Sequence, residues 1–124
     1  MAFSHEDSST AGSSLSVRLI KIEEVPATGV SDIMGGAATV YTLDLENGVS
    51  GAPTWFRIYD NASPTFGTTQ PDILIRVHNN THSIWTIAQG LPLSAALTIN
   101  ATDADGKDGS AAVSAYFDAN IIAV

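Results

Sequence analysis

The residues in this chain best suited to chemistry are an acidic run, Asp103-Ala104-Asp105-Gly106-Lys107-Asp108-Gly109, and three histidines, His5, His78 and His82. Calcium prefers oxygen-rich loops, and an EF-hand loop needs oxygen ligands at positions 1, 3 and 5, glycine at 6 and a bidentate glutamate at 12. Counted from Asp103, position 5 is Lys107, position 6 is Asp108 and position 12 is Ser114, so the EF-hand motif fails. What remains is either a looser calcium loop or a solvated turn between strands, and Asp and Gly are default turn residues. His78 and His82 flank Asn79-Asn80, where they would approach each other across a hairpin. Zinc would need a third ligand, and the neighbouring sequence offers none, so the expectation is no bound metal and no cofactor.

Covalent catalysis is equally poorly served. The chain has no cysteine, which removes disulfides, thiolate metal sites and thiol nucleophiles together. Serines are numerous, but no Gly-x-Ser-x-Gly elbow and no phosphate-cradling glycine loop occurs. A pair of carboxylates could still hydrolyse a sugar if space brought them together, yet the acids here gather in turns and termini. The chain is therefore expected not to be an enzyme. Asn61, Asn79 and Asn100 each open an Asn-x-Ser/Thr sequon, a signal with meaning only in a secretory pathway.

Charge excludes one class of partner. Thirteen acidic residues face five basic ones, for a formal net charge of -8 at pH 7. Arg18, Lys21, Arg57, Arg76 and Lys107 are scattered, whereas phosphate backbones demand clustered cations, so no nucleic acid is expected. The opening Met-Ala-Phe-Ser-His-Glu-Asp lacks a basic region followed by an apolar run, and no stretch approaches the roughly 18 apolar residues of a bilayer span. Synthesis in the cytoplasm without an export signal and without membrane contact is the expectation.

The elements that would position these residues read as strands. Residues 1–13 are small, polar and aperiodic, which predicts a flexible N-terminal arm with Phe3 as its apolar anchor. Residues 14–124 form the single domain. Leu15, Val17 and Leu19 alternate with polar neighbours, then Ile20 and Ile22 take the opposite phase; either a bulge near Leu19-Ile20 or a change of buried face would account for it. Tyr41, Leu43 and Leu45 predict the inward face of a second strand, followed by the Asn47-Gly48 turn signal. Thr54–Asp60, Asp72–His78, the stretch after Asn80, Leu97–Thr102 and the run ending at Val124 continue the series. No apolar stripe persists at helical spacing. Seven or eight short strands at regular intervals predict an all-β antiparallel β-sandwich, with an eight-stranded jelly roll fitting the count.

Aromatic and apolar residues on second faces are the most informative feature. Trp55 and Tyr59 lie on the strand face opposite Phe56 and Ile58, Trp85 sits on a strand with no clearly polar face, and the chain ends with Ile121, Ile122 and Val124. A central strand buried on both sides explains this pattern, and so does a sheet face covered by another subunit. The second explanation makes Phe3, Trp55, Tyr59, Trp85, Ile122 and Val124 candidate subunit-interface residues. A third use is a carbohydrate- or receptor-binding platform, with Trp55, Tyr59 and Trp85 stacking on sugars.

The stretch from Trp55 to Gly109 resembles a family of small virion proteins of tailed bacteriophages, including those that infect cyanobacteria. The resemblance lies in Ile58-Tyr59-Asp60, in Asn61-Ala62-Ser63-Pro64-Thr65-Phe66-Gly67-Thr68-Thr69-Gln70-Pro71-Asp72-Ile73, in Gln89-Gly90-Leu91, in Leu97–Thr102 and in the loop Asp103–Gly109. Where members commonly run Gly-Leu-x-Phe-x-x-Gly-Leu, this chain has Leu91-Pro92-Leu93-Ser94-Ala95-Ala96-Leu97, without the Phe and the second Gly. The resemblance implies a jelly-roll or sandwich capsid decoration (cement) protein. It would be a homotrimer seated on the outer capsid surface of the virion, with the major capsid protein as partner.

Overall fold

The computed structural model describes residues 2–7, 16–48, 53–103 and 117–124, of which 2–7 and 16 are described by backbone alone. Eight strands follow one another: β1 (Ala2–Asp7), β2 (Ser16–Ile22), β3 (Ala38–Asn47), β4 (Thr54–Tyr59), β5 (Ile73–Val77), β6 (Thr81–Leu93), β7 (Thr98–Thr102) and β8 (Phe117–Ala123). They make two antiparallel sheets, a larger one ordered β1-β2-β8-β3-β6 and a three-stranded one ordered β5-β4-β7. Valine, isoleucine, threonine and aromatics dominate these segments, as a pleated, half-buried surface favours.

The pairings nest. β4 pairs with β5, β3 with β6, the isolated bridge Val30↔Ile99 joins the connector before β3 to β7, and β2 pairs with β8. Each successive pair encloses one or more of the others along the chain. The hairpin expected at Asn79-Asn80 is corrected by this order. Asn47-Gly48 leads from β3 to β4, and Asn79-Asn80 from β5 to β6, and both steps pass from one sheet to the other. Turn chemistry marks where the chain reverses, but the partner is chosen by which apolar faces can meet.

The two sheets share one core. Ile20 and Ile22 of β2, Val40, Leu43 and Leu45 of β3, and Phe117, Ala119, Ile121 and Ala123 of β8 come from the larger sheet. Phe56, Ile58, Ile75, Val77, Ile99 and Ala101 meet them from the smaller one. Phe56 and Phe117 stack across the divide, their ring centroids 5.8 Å apart and their planes inclined by 22°. At the end of β3 the buried Asn47 donates through Nδ2 to the Val77 carbonyl at 2.9 Å, a polar tie between the sheets.

Three expectations about phase and order change. β2 carries no bulge: its register against β1 and β8 is continuous, with Ile20 and Ile22 buried and Leu19 turned outward. The irregularity lies in β3 between Val40 and Thr42, and it reverses Tyr41, which is exposed while Val40 takes the core position. An extra residue on one strand shifts the alternation by one. Ala2–Asp7, expected within the mobile arm, is instead β1, antiparallel to β2. The unpaired donors and acceptors of an edge strand accept a neighbour through the backbone, without regard to side-chain periodicity.

Asp60 holds the chain together just past β4. Its carboxylate accepts from the backbone N–H groups of Ser94, Ala95 and Ala96 at 3.1, 2.7 and 3.1 Å, and from the Ser94 hydroxyl at 3.2 Å. The Ala95 N–H, then that of Ala96, hold its pKa below the ordinary carboxylate value. A folded-state pKa below the unfolded one gives stability that is present above the unfolded value and is lost as pH falls through the folded value. The urea midpoint of the wild-type chain is therefore expected to drop below about pH 4, and Asp60→Asn to flatten that part of the pH profile. Superimposable acid limbs in the two proteins would refute the assignment.

Candidate interaction surface

The two sheets treat their outer faces differently. On the smaller sheet, register places Trp55, Arg57 and Tyr59 of β4 beside Thr98, Asn100 and Thr102 of β7, on the side away from the core. Over β4 and β7 that side is covered by the chain's own loops, while β5 leaves Leu74 39% exposed. Asn100 Nδ2 donates to the Ala27 carbonyl at 3.1 Å, and the Asp32 N–H to Thr98 Oγ1 at 2.9 Å. Thr98 Oγ1 in turn donates to the Asn61 carbonyl at 2.6 Å. Phe66 meets the Tyr59 ring edge to face at 5.3 Å. Arg57 is fully buried and donates from Nη1 to Thr102 Oγ1 at 2.6 Å and to the Trp55 carbonyl at 3.3 Å.

Tyr59 is thereby corrected as an interface or sugar-stacking candidate. It is buried in its own chain, and burial raises its phenol above the usual value against the opposing field of Arg57. Its two-faced apolar pattern came from loops folded over the sheet, which strand periodicity does not register. Trp55 is half-buried, and the Arg76 guanidinium carbon lies 5.7 Å from its ring centroid.

Among the described residues, no loop covers the outer face of the larger sheet. Its register runs in rows across the strands. The first row holds Val17, Val124, Thr39 and Pro92, and the second Leu19, Ile122, Thr42 and Thr86. Tyr41 stands between them at the bulge. Across β2, β8, β3 and β6 neither row contains a charged side chain, and β1 sets Glu6 at the edge of the first row, opposite Val17. The third row is Lys21, Asn120, Asp44 and Ile84, and the fourth brings Asp118, Glu46 and His82 together beside Glu23. Leu19 is 45% exposed and Ile84 62%, while Ile122 and Val124 are partly covered. Aliphatic side chains presented on an open sheet face make it a candidate association surface.

Beyond the apolar rows the face becomes acidic. Glu23, Glu24, Glu46 and Asp118 line an open cleft of about 430 Å³. The Glu24 N–H donates to Asp118 Oδ1 at 2.9 Å, with Glu24 itself at a φ of 55°. Lys21 pairs with Glu23 at 3.4 Å, and His82 pairs with Asp44 through Nε2. No group of three or more His, Cys, Asp or Glu side chains with metal-binding geometry occurs among the described residues.

Of the candidate interface residues, Ile122 and Val124 lie together on the bare face. Trp85 is 49% exposed on the edge strand β6, but it pairs with Leu43 and so points to the opposite side of the sheet. Phe3 lies opposite Ile20 in the β1–β2 register, and its side chain is outside the described residues. Leu19, Tyr41 and Ile84 belong to the surface without having been singled out from sequence. The signal for Leu19 was its phase, opposite to Ile20 and Ile22. Of the loop 103–109, only Asp103 falls within the described residues, so its calcium reading lies outside them. The two histidines do not meet as a pair. His78 lies 3.3 Å from Arg76 Nη1, and His82 is on the other sheet beside Asp44.

Comparison with protein-family models, with curated proteins and with solved structures returned no match to this chain.

Proposed function

We propose that this chain is a virion structural protein, a capsid decoration (cement) protein that stabilises a phage head by bridging major capsid subunits from its outer surface. The bare apolar face of the larger sheet is the observation that carries it. Loops fold over β4 and β7 on the outer face of the smaller sheet, whereas no described loop covers the other face, which presents Leu19 and Ile84 beside the partly covered Ile122 and Val124. The resemblance between Trp55 and Gly109 supplies the identity of the partner.

The strand order supports a β-sandwich of the jelly-roll kind. A jelly roll is a long antiparallel hairpin rolled into two packed sheets. Four nested pairs are what such a rolled hairpin produces: β2–β8, Val30–Ile99, β3–β6 and β4–β5. The bridge at Val30 stands where a fourth strand of the smaller sheet would run. β1 is then an addition at the edge.

A homotrimer fits the local threefold positions of an icosahedral shell, and the edge strand β6 with Trp85 is the surface left for contact between copies. Binding only the assembled shell stabilises it by RT ln(1 + [L]/Kd), about 2.7 kcal/mol at a free concentration one hundred times Kd. Purified protein is expected to sediment as a trimer, to bind expanded capsids that lack it and to raise their thermal midpoint. A monomer that leaves such capsids unbound and unstabilised would overturn the proposal.

A carbohydrate- or receptor-binding module is the second reading, and half-exposed Trp85 is the observation in its favour. Burial of Tyr59 removes one of its three stacking residues. Quenching of tryptophan fluorescence by a glycan, absent in Trp85→Ala, would favour it over decoration.

A further inference from the structure

We infer that the bare face of the larger sheet docks a different protein, one presenting an aliphatic patch beside a cluster of Lys and Arg, and does not pair with a second copy of this chain. The inference rests on the decoration proposal for the partner's identity and adds the chemistry and orientation of the contact.

The face is polarised along its strands. Across β2, β8, β3 and β6 its first two rows, with Leu19 and Ile122 at their centre, carry no charged side chain, β1 sets a single Glu6 at the edge of the first, and the far end holds the cleft of Glu23, Glu24, Glu46 and Asp118. Lys21 at that end is engaged by Glu23, and the His82 ring by Asp44. The carboxylates therefore outweigh them, in a chain whose net charge is already -8.

Symmetry decides against self-pairing. Two copies stacked face to face are related by a twofold axis lying between the faces, and an isologous contact brings the same patch together from both sides. If the axis runs along the strands, the acidic end of one copy covers the acidic end of the other, and like charges repel across a poorly hydrated gap. If it runs across the strands at the middle of the face, charged rows lie over uncharged ones, where carboxylates lose water and gain no partner. Placed between the first two rows, it leaves only those two rows in contact, a smaller area than a stable interface buries. A partner of opposite polarity meets neither obstacle. Its aliphatic patch covers the uncharged rows while its Lys and Arg side chains reach the cleft, and these complementary charges also fix which way round it sits.

The test uses the purified chain and expanded capsids lacking it. Binding is expected to weaken about tenfold between 50 and 500 mM salt, because screening removes the charge contribution. Glu23→Lys combined with Glu46→Lys, and separately Leu19→Asp, are each expected to raise Kd at least tenfold. Leu74→Asp, on the other sheet, should leave it unchanged, and equal urea midpoints would establish that all the variants are folded. Since the chain contains no cysteine, Leu19→Cys and Ile122→Cys, away from the β6 edge, report directly on self-pairing through this face, and neither should yield a disulfide-linked dimer on oxidation. A wild-type chain that binds while the face variants bind equally well would overturn this assignment and leave decoration standing. An efficient cross-link through either cysteine would also overturn it. A wild-type chain that ignores the capsids would overturn both proposals.

Discussion

Phe56→Ala is expected to lower the unfolding free energy by about 3–5 kcal/mol, the range for truncating a buried aromatic side chain in a packed core. Phe56 is fully buried in β4 and stacks on Phe117 of β8, so its ring spans the gap between the sheets. Removing it forfeits the transfer free energy of the ring and opens a cavity lined on both sides by strands whose positions are fixed by their ladders. Neither sheet can collapse into the space without carrying its partners along. A domain of this size has only about 5–15 kcal/mol of stability in total, so the variant should unfold at a much lower urea concentration with little change in slope. Phe56→Leu, which refills much of the volume, is expected to recover most of the loss. A midpoint for Phe56→Ala within error of wild type would mean that the two sheets do not depend on this contact.

Gly29→Ala is expected to cost about 2–4 kcal/mol, combining the strain of a left-handed backbone with overpacking. Gly29 has a φ of 80°, and a Cβ built there would lie 2.1 Å from the tip of the Phe66 ring. The ring cannot simply swing aside, because it packs edge to face on Tyr59 and helps to seal the outer face of the smaller sheet. The damage should therefore extend beyond the turn. Hydrogen exchange in β4 and β7 should accelerate in Gly29→Ala, and tyrosine accessibility should rise. Gly35→Ala is a useful comparison, since it shares a positive φ of 71° but has nothing within 4 Å of the added methyl. It should show the backbone contribution alone. Equal losses in the two variants would remove Phe66 from the explanation.

Alternation made much of the core legible in advance. Ile75 and Val77, Leu43 and Leu45, and Leu97 and Ile99 all point where period two puts them. Tyr41 failed because a bulge is set by the pairing partner: β6 spends four residues, Ile87 to Gly90, where β3 spends only Tyr41. Tyr59 failed because its cover comes from Phe66 and the connector around Gly29, distant in sequence and aperiodic. The Asn79-Asn80 turn was recognised, but nothing local says that its two strands join different sheets. The candidate surface was half legible. Ile122 and Val124 follow from alternation in β8, while the grouping of Leu19 with Ile122 depends on β2 lying beside β8, a pairing of residues about a hundred positions apart.

The nested pairing also sets an order of events during synthesis. β8 is the latest of the eight strands in sequence, yet it lies in the middle of the larger sheet, between β2 and β3. The pair β4–β5 can close as soon as its loop is made, but β2 and β3 acquire their common neighbour only when residues 117–123 emerge. At about 5–20 residues per second, that wait after β3 is complete lasts on the order of several seconds. Throughout it, Ile20, Ile22, Leu43 and Leu45 flank an empty slot in the sheet, open to any extended segment that comes within reach. The nascent chain therefore carries its greatest risk of aggregation before its final strand arrives, and a chaperone that holds β2 and β3 apart until then would protect yield without altering the stability of the finished fold.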